Sequence, residues 1–146
     1  MVLHDSTSEH IAFLTTEYPT EKKVGGLGSY LERMTLALKE AGHRPEVFVA
    51  SSASPKHTEY HGVPVHRVNH VALGWRLVVR LLRRVPLEPI RALAGYIRKG
   101  VALAHGLELR DREEPFFAVQ CPNNYGIGLF VAKRRTRPLL IRVSSD

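Results

Sequence analysis

Ile11-Ala-Phe-Leu-Thr-Thr16, followed after a polar connection by Gly25-Gly26-Leu27-Gly28 and the run Ser29 to Ala41 closed by Gly42, is the stretch that decides the fold. The first run is apolar without alternation, as expected of a parallel strand covered on both faces. From Leu27 onward, Leu27, Tyr30, Leu31, Met34, Ala37, Leu38 and Ala41 recur at spacings of three and four, while Ser29, Glu32, Arg33, Lys39 and Glu40 mostly take the other face. The spacing predicts a helix over Ser29 to Ala41, with Gly42 as the left-handed residue that ends it. Glu46-Val-Phe-Val-Ala50 is a second short apolar run, so strand, helix and strand form a βαβ unit and a parallel sheet.

The rest of the chain extends this pattern. His57 to Asn69 reads as a hairpin or turn around Gly62-Val63-Pro64 leading into the strand Val65 to Val68. Trp75 to Arg84 places Arg76, Arg80, Arg83 and Arg84 on one helical face, and after Pro86 and Pro89 a long amphipathic helix should run to about Leu107. Asp111 to Pro115 reads as a charged break, Phe116 to Gln120 as a strand, Tyr125 to Lys133 as a short helix and Leu139 to Val143 as a last strand. The expected fold is α/β, a doubly wound, mainly parallel Rossmann-like sheet in one domain of 146 residues. Ligands in such sheets bind beyond the carboxyl ends of the strands, after Thr16, Ser51, Cys121 and Val143.

Composition narrows the function classes. Twenty-one Lys and Arg against 14 Asp and Glu leave a formal charge of +7, which favours anionic partners. No apolar run approaches the length of a membrane span and the N-terminus is too polar for a signal peptide, so a cytoplasmic protein is expected. A single cysteine, Cys121, excludes an intramolecular disulfide and reads as a small buried strand-end residue. His57, His61, His66 and His70 read as surface and turn residues rather than a metal cluster. The basic face lacks interleaved aromatics and any helix-turn-helix signature, which argues against nucleic acid.

The glycine loop carries the chemistry. Gly25, Gly26 and Gly28 lack Cβ atoms, so a phosphate can approach the free N–H groups and positive dipole end of the first helical turn, with Lys23 adding a point charge. Two familiar phosphate loops are excluded. A dinucleotide fingerprint needs a glycine where Leu31 stands and an acidic residue where Ala50-Ser51-Ser52 stand, and no Gly-Lys-Ser/Thr of a Walker loop occurs. The connection from Glu17 to Val24 is also too long for the tight dinucleotide turn, and suits a loop that reaches over a pocket.

Thr16-Glu-Tyr-Pro19, Lys23-Val-Gly-Gly-Leu-Gly28, Tyr30-Leu31 to Leu38 and Ala41-Gly-His43 together resemble the N-terminal domain of retaining GT-B glycosyltransferases of the family 4 type. The Lys-x-Gly-Gly-Leu run also resembles the opening motif of glycogen and starch synthases. Ser29 stands where such synthases usually carry Asp, which favours the broader glycosyltransferase family. The resemblance implies a mainly acceptor-side half of a two-domain enzyme. Gly25, Gly26, Gly28 and Lys23 would face the donor diphosphate of a nucleotide sugar, and no metal or other cofactor would be required.

The resemblance also places the acidic pair and ribose contacts in a C-terminal donor domain absent from these residues, so the chain alone should not complete a transfer. Glu17 and Tyr18, past the first strand, and Gln120, Asn123 and Asn124, at another strand end, are candidate contacts to sugar or acceptor. The arginine face at 76, 80, 83 and 84 would suit peripheral contact with acidic lipid, and a lipid-linked as well as a carbohydrate acceptor. A stand-alone nucleotide or phosphosugar binding module without catalysis is the alternative.

Overall fold

The computed structural model describes residues 8–21, 25–69, 88–123, 126–132 and 138–143. Lys23, Asn124 and the helix expected over Trp75 to Arg84, with its four arginines, lie outside the described residues. The elements run β1 (His10–Thr15), α1 (Gly26–Glu40), β2 (Arg44–Ser51), β3 (Lys56–Tyr60), β4 (Val63–Asn69), α2 (Glu88–Glu113), β5 (Ala118–Pro122), α3 (Ile127–Ala132) and β6 (Leu139–Arg142). One six-stranded sheet has the order β3-β4-β2-β1-β5-β6. All its pairings are parallel except β3 with β4, so the chain has the doubly wound α/β fold its pattern predicts.

The central strands are apolar because both faces are covered. Along β1 and β2 successive side chains alternate between two cores. Ala12, Leu14, Phe48 and Ala50 join Leu103 and Leu107 of α2 and Ile127 and Val131 of α3 on one face. Phe13, Val47 and Val49 join Tyr18, Leu31 and the β4 residues Val63 and Val65 on the face that α1 covers. Cys121 is buried in the first of these cores, the structural place expected of it.

Local chemistry sets the boundaries. Gly42 has φ of 88°, and His43 N–H donates to Leu38 O while Gly42 N–H donates to Lys39 O, a Schellman closure of α1. The β3–β4 hairpin turns at His61 and Gly62, both at positive φ, one residue earlier than the Gly62-Val63-Pro64 turn expected. Pro64 is then tolerated near the start of β4, before pairing with β2 begins at Val65.

α2 runs six residues past Leu107 and absorbs most of the expected charged break. Arg112 pairs with Glu108 and Arg110 with Glu114 one turn away, and Asp111 accepts the Phe116 N–H just beyond the helix. Charges that read as a loop are satisfied along a helix. Among the described residues no helix is long and apolar enough to cross a membrane.

Candidate functional site

Because five strands run parallel, the carboxyl ends of β1, β2, β4, β5 and β6 share one edge, and α1 begins over that edge. The connection from β1 to α1 is tied down at several points. Thr15 Oγ1 donates to Glu17 O, at 2.9 Å, and accepts the Glu17 N–H. Tyr18 is fully buried, and its hydroxyl lies 2.9 Å from Thr35 Oγ1 of α1. Burial pushes the Tyr18 phenol up, and Glu32 adds to this against the opposing Thr35 hydrogen bond. Tyr18 thus anchors the connection in the core.

Glu21 was not singled out in the sequence, yet it joins the same connection to two other strand ends. Its carboxylate accepts from Ser51 Oγ at the end of β2 and from Arg67 Nε on β4, and Arg67 also donates to Thr20 O. The Arg67–Glu21 ion pair measures 2.8 Å with both side chains under a fifth exposed, so it is shielded from solvent screening.

At the mouth of α1 the Gly25 N–H donates to Glu17 Oε2 at 3.0 Å. Gly25 is the extended N-cap, with no side-chain cap and no acidic residue in the first turn of the helix. A carboxylate therefore sits where the dipole and the orphan N–H groups favour negative charge. A Cβ on Gly25 would fall 2.6 Å from Glu17 Oε2, whereas one on Gly26 meets nothing within 4 Å and Gly26 is exposed. The loop is thus closed against Glu17 at Gly25 and open to solvent at Gly26. Gly28 is buried beneath the first turn, within the helix.

Beside this loop the ends of β5 and β6 bring further polar groups together. The Arg142 guanidinium lies 3.5 Å from the centroid of the Tyr30 ring, and Gln120 Nε2 donates to the Tyr30 hydroxyl at 3.4 Å. Asn123 is exposed, and its N–H donates to Arg142 O. Gln120 and Asn123 thus share one edge with Gly25, Gly26 and Glu17. Arg142 is the residue that sequence reading passed over. Its only signal was a cation at the carboxyl end of an apolar strand.

A second polar centre occupies the opposite, amino end of the sheet. Glu46, 5% exposed, accepts from His10 Nε2, His66 Nε2, and Arg110 Nε and Nη2 at 2.7 to 3.1 Å. Burial alone would raise its pKa, but the hydrogen bonds from His66, Arg110 and His10 outweigh burial and hold the carboxyl well below its ordinary range. Arg110 is held above its ordinary value chiefly by Glu46. His66 is therefore a half-buried partner of Glu46, stacked on Phe48 with ring centroids 4.6 Å apart, and not the surface histidine expected. His57 and His61 are exposed as expected, and His70 lies outside the described residues.

The family model described as starch synthase catalytic domain matches residues 10–113. No curated protein sequence matches the chain. Among solved structures, the chain is similar to the catalytic domain of starch synthase IV from Arabidopsis thaliana bound to ADP and acarbose. Their TM-score is 0.54 at 15% identity, over 86% of this chain and 30% of that one. It is also similar to sucrose-phosphate synthase from Thermosynechococcus elongatus, with a TM-score of 0.64 at 11% identity, over 94% of this chain and 33% of that one. The chain thus spans about a third of the length of either structure. At such identities the likeness is one of fold, the Rossmann-like architecture of GT-B glycosyltransferases. The matching family is the synthase one, whereas Ser29 favours the broader glycosyltransferase family. On the match over residues 10–113, the chain belongs to the starch synthase catalytic domain family of glycosyltransferases.

Proposed function

We propose that the chain is the N-terminal, mainly acceptor-side part of a retaining glycosyltransferase that moves a sugar from a nucleotide-sugar donor to a carbohydrate acceptor. The observation that carries this reading is the mouth of α1, where the Gly25 N–H already donates to a carboxylate oxygen of Glu17. A donor diphosphate is a stronger anion for the same position. Gly25 and Gly26 would present N–H groups to it across a cleft, with Gly28 letting the first turn pack closely and Lys23 supplying charge.

Arg142, held over Tyr30, adds a cation on the same edge, the side-chain amides of Gln120 and Asn123 are placed to accept from or donate to sugar hydroxyls, and the Glu17 carboxylate to accept from them. Helix dipole and basic side chains would neutralise the departing nucleotide diphosphate without a metal. The ADP and acarbose bound to the Arabidopsis starch synthase support a nucleotide donor and a carbohydrate acceptor. The two structures that the chain resembles are about three times its length, so transfer would call for a second, donor-binding domain facing these residues.

Gly26→Val tests the loop. The open space around Gly26 predicts an unchanged fold and melting temperature, so any loss reports the ligand. In a polypeptide carrying both domains, transfer of radiolabelled sugar should fall at least about a hundredfold, the scale of losing preorganised anion donors. Unchanged transfer would remove the loop from the donor site.

A further inference from the structure

Away from the cleft, the β3–β4 hairpin carries a pair of imidazoles that the glycosyltransferase reading does not use. His57 and His66 are direct cross-strand partners, and their Nδ1 atoms lie 2.7 Å apart. Glu46 fixes one proton. An ionised carboxylate only accepts, so His66 Nε2, 2.7 Å from Glu46 Oε2, carries a proton. With Nε2 committed to Glu46, the contact between the two rings is a single hydrogen bond in which one Nδ1 donates and the other accepts. The shared proton occupies the place a metal ion takes when two imidazoles ligate side by side.

The setting matches what metal-ligating histidines need. A buried carboxylate behind His66 fixes its tautomer and orientation, the arrangement found behind zinc-bound imidazoles. Stacking on Phe48, with 19° between ring planes, holds His66 further, while His57 is exposed on the edge strand. Both rings line an open cavity of about 380 Å³ between the hairpin and α2, where water can complete a coordination shell. The cations beside it, Arg67 and Arg110, are already paired with Glu21 and Glu46. The other candidate group, His10, Glu46 and Glu114, fails on this point: Arg110 Nη2 bridges Glu46 and Glu114 and stands where a cation would sit.

We propose that His57 and His66 form a binding site for a borderline divalent ion such as Zn²⁺, each ligating through Nδ1, with water in the remaining positions. Zinc–imidazole bonds at tetrahedral angles put the two nitrogens about 3.3 Å apart. The pair must therefore open slightly, which rotation of exposed His57 supplies. Imidazole donors favour Zn²⁺, Ni²⁺ or Cu²⁺ over Mg²⁺ and Ca²⁺.

The test is calorimetric titration of the tag-free chain with Zn²⁺, beside His57→Ala and, as a control on the same hairpin, His61→Ala. The expected result is one ion per chain, with affinity reduced at least about tenfold in His57→Ala and retained in His61→Ala. His57 is exposed, so its replacement leaves the fold intact. In parallel, ¹⁵N spectra of the histidine rings should show both Nδ1 signals move on adding Zn²⁺. Equal affinity in wild type and His57→Ala, or Nδ1 signals that stay in place, overturns the site.

Discussion

Glu46→Ala removes the carboxylate on which β1, β2, β4 and α2 converge. Four hydrogen bonds end on it, from His10, His66 and two nitrogens of Arg110, and its side chain is only 7% exposed. Deleting one side of a buried ionic cluster leaves its partners unpaired, at a cost of about 3–5 kcal/mol. Arg110 keeps Glu114 and is 24% exposed, and the His66 side chain is 14% exposed, so the lower end, about 3 kcal/mol, applies. At this chain length that corresponds to a fall in melting temperature of about 6–12 °C.

Urea unfolding followed by far-UV circular dichroism at neutral pH measures the change directly. The same cluster predicts a pH dependence, because the folded-state pKa of Glu46 is depressed below its unfolded value. Its contribution is therefore complete above the unfolded carboxylate range, about pH 4.3, and is lost as the pH falls towards the folded value. Glu46→Gln keeps the volume and should flatten that part of the acid limb while His10, His66 and Arg110 remain. A loss below about 1 kcal/mol in Glu46→Ala, or an acid limb unchanged in Glu46→Gln, would refute the assignment of this cluster as the clamp at the amino end of the sheet.

Two further substitutions separate the cleft from its supports. Arg142→Ala removes the cation over Tyr30; in a polypeptide carrying both domains, sugar transfer should fall at least about tenfold while stability falls by about 1–2 kcal/mol, the worth of a half-buried cation–π contact. Tyr18→Phe keeps the buried ring and deletes the hydroxyl that meets Thr35, which still donates to Leu31 O; chemical denaturation should register a loss of about 1 kcal/mol, and a neutral outcome would release Tyr18 from its anchoring part.

The apolar run of β1, the helical spacing of α1, its Gly42 terminus and the parallel start of the sheet were all legible in the sequence. The first three follow from interactions within a few residues, which the spacing of apolar and glycine positions encodes directly, and the parallel start follows from a helix standing between two apolar runs. The glycine loop was legible for the same reason, since the missing Cβ atoms and the helix that follows are local facts. The places of Tyr18, His66, Glu46 and Arg142 were not. Their partners lie far along the chain: Arg110 reaches Glu46 across 64 residues and Gln120 reaches Tyr30 across 90. The charges at the end of α2 read as a break because no local pattern announces that Glu46 waits for Arg110. A polar side chain looks the same in sequence whether it faces water or a buried partner, and only the packing of the strands and helices decides between the two.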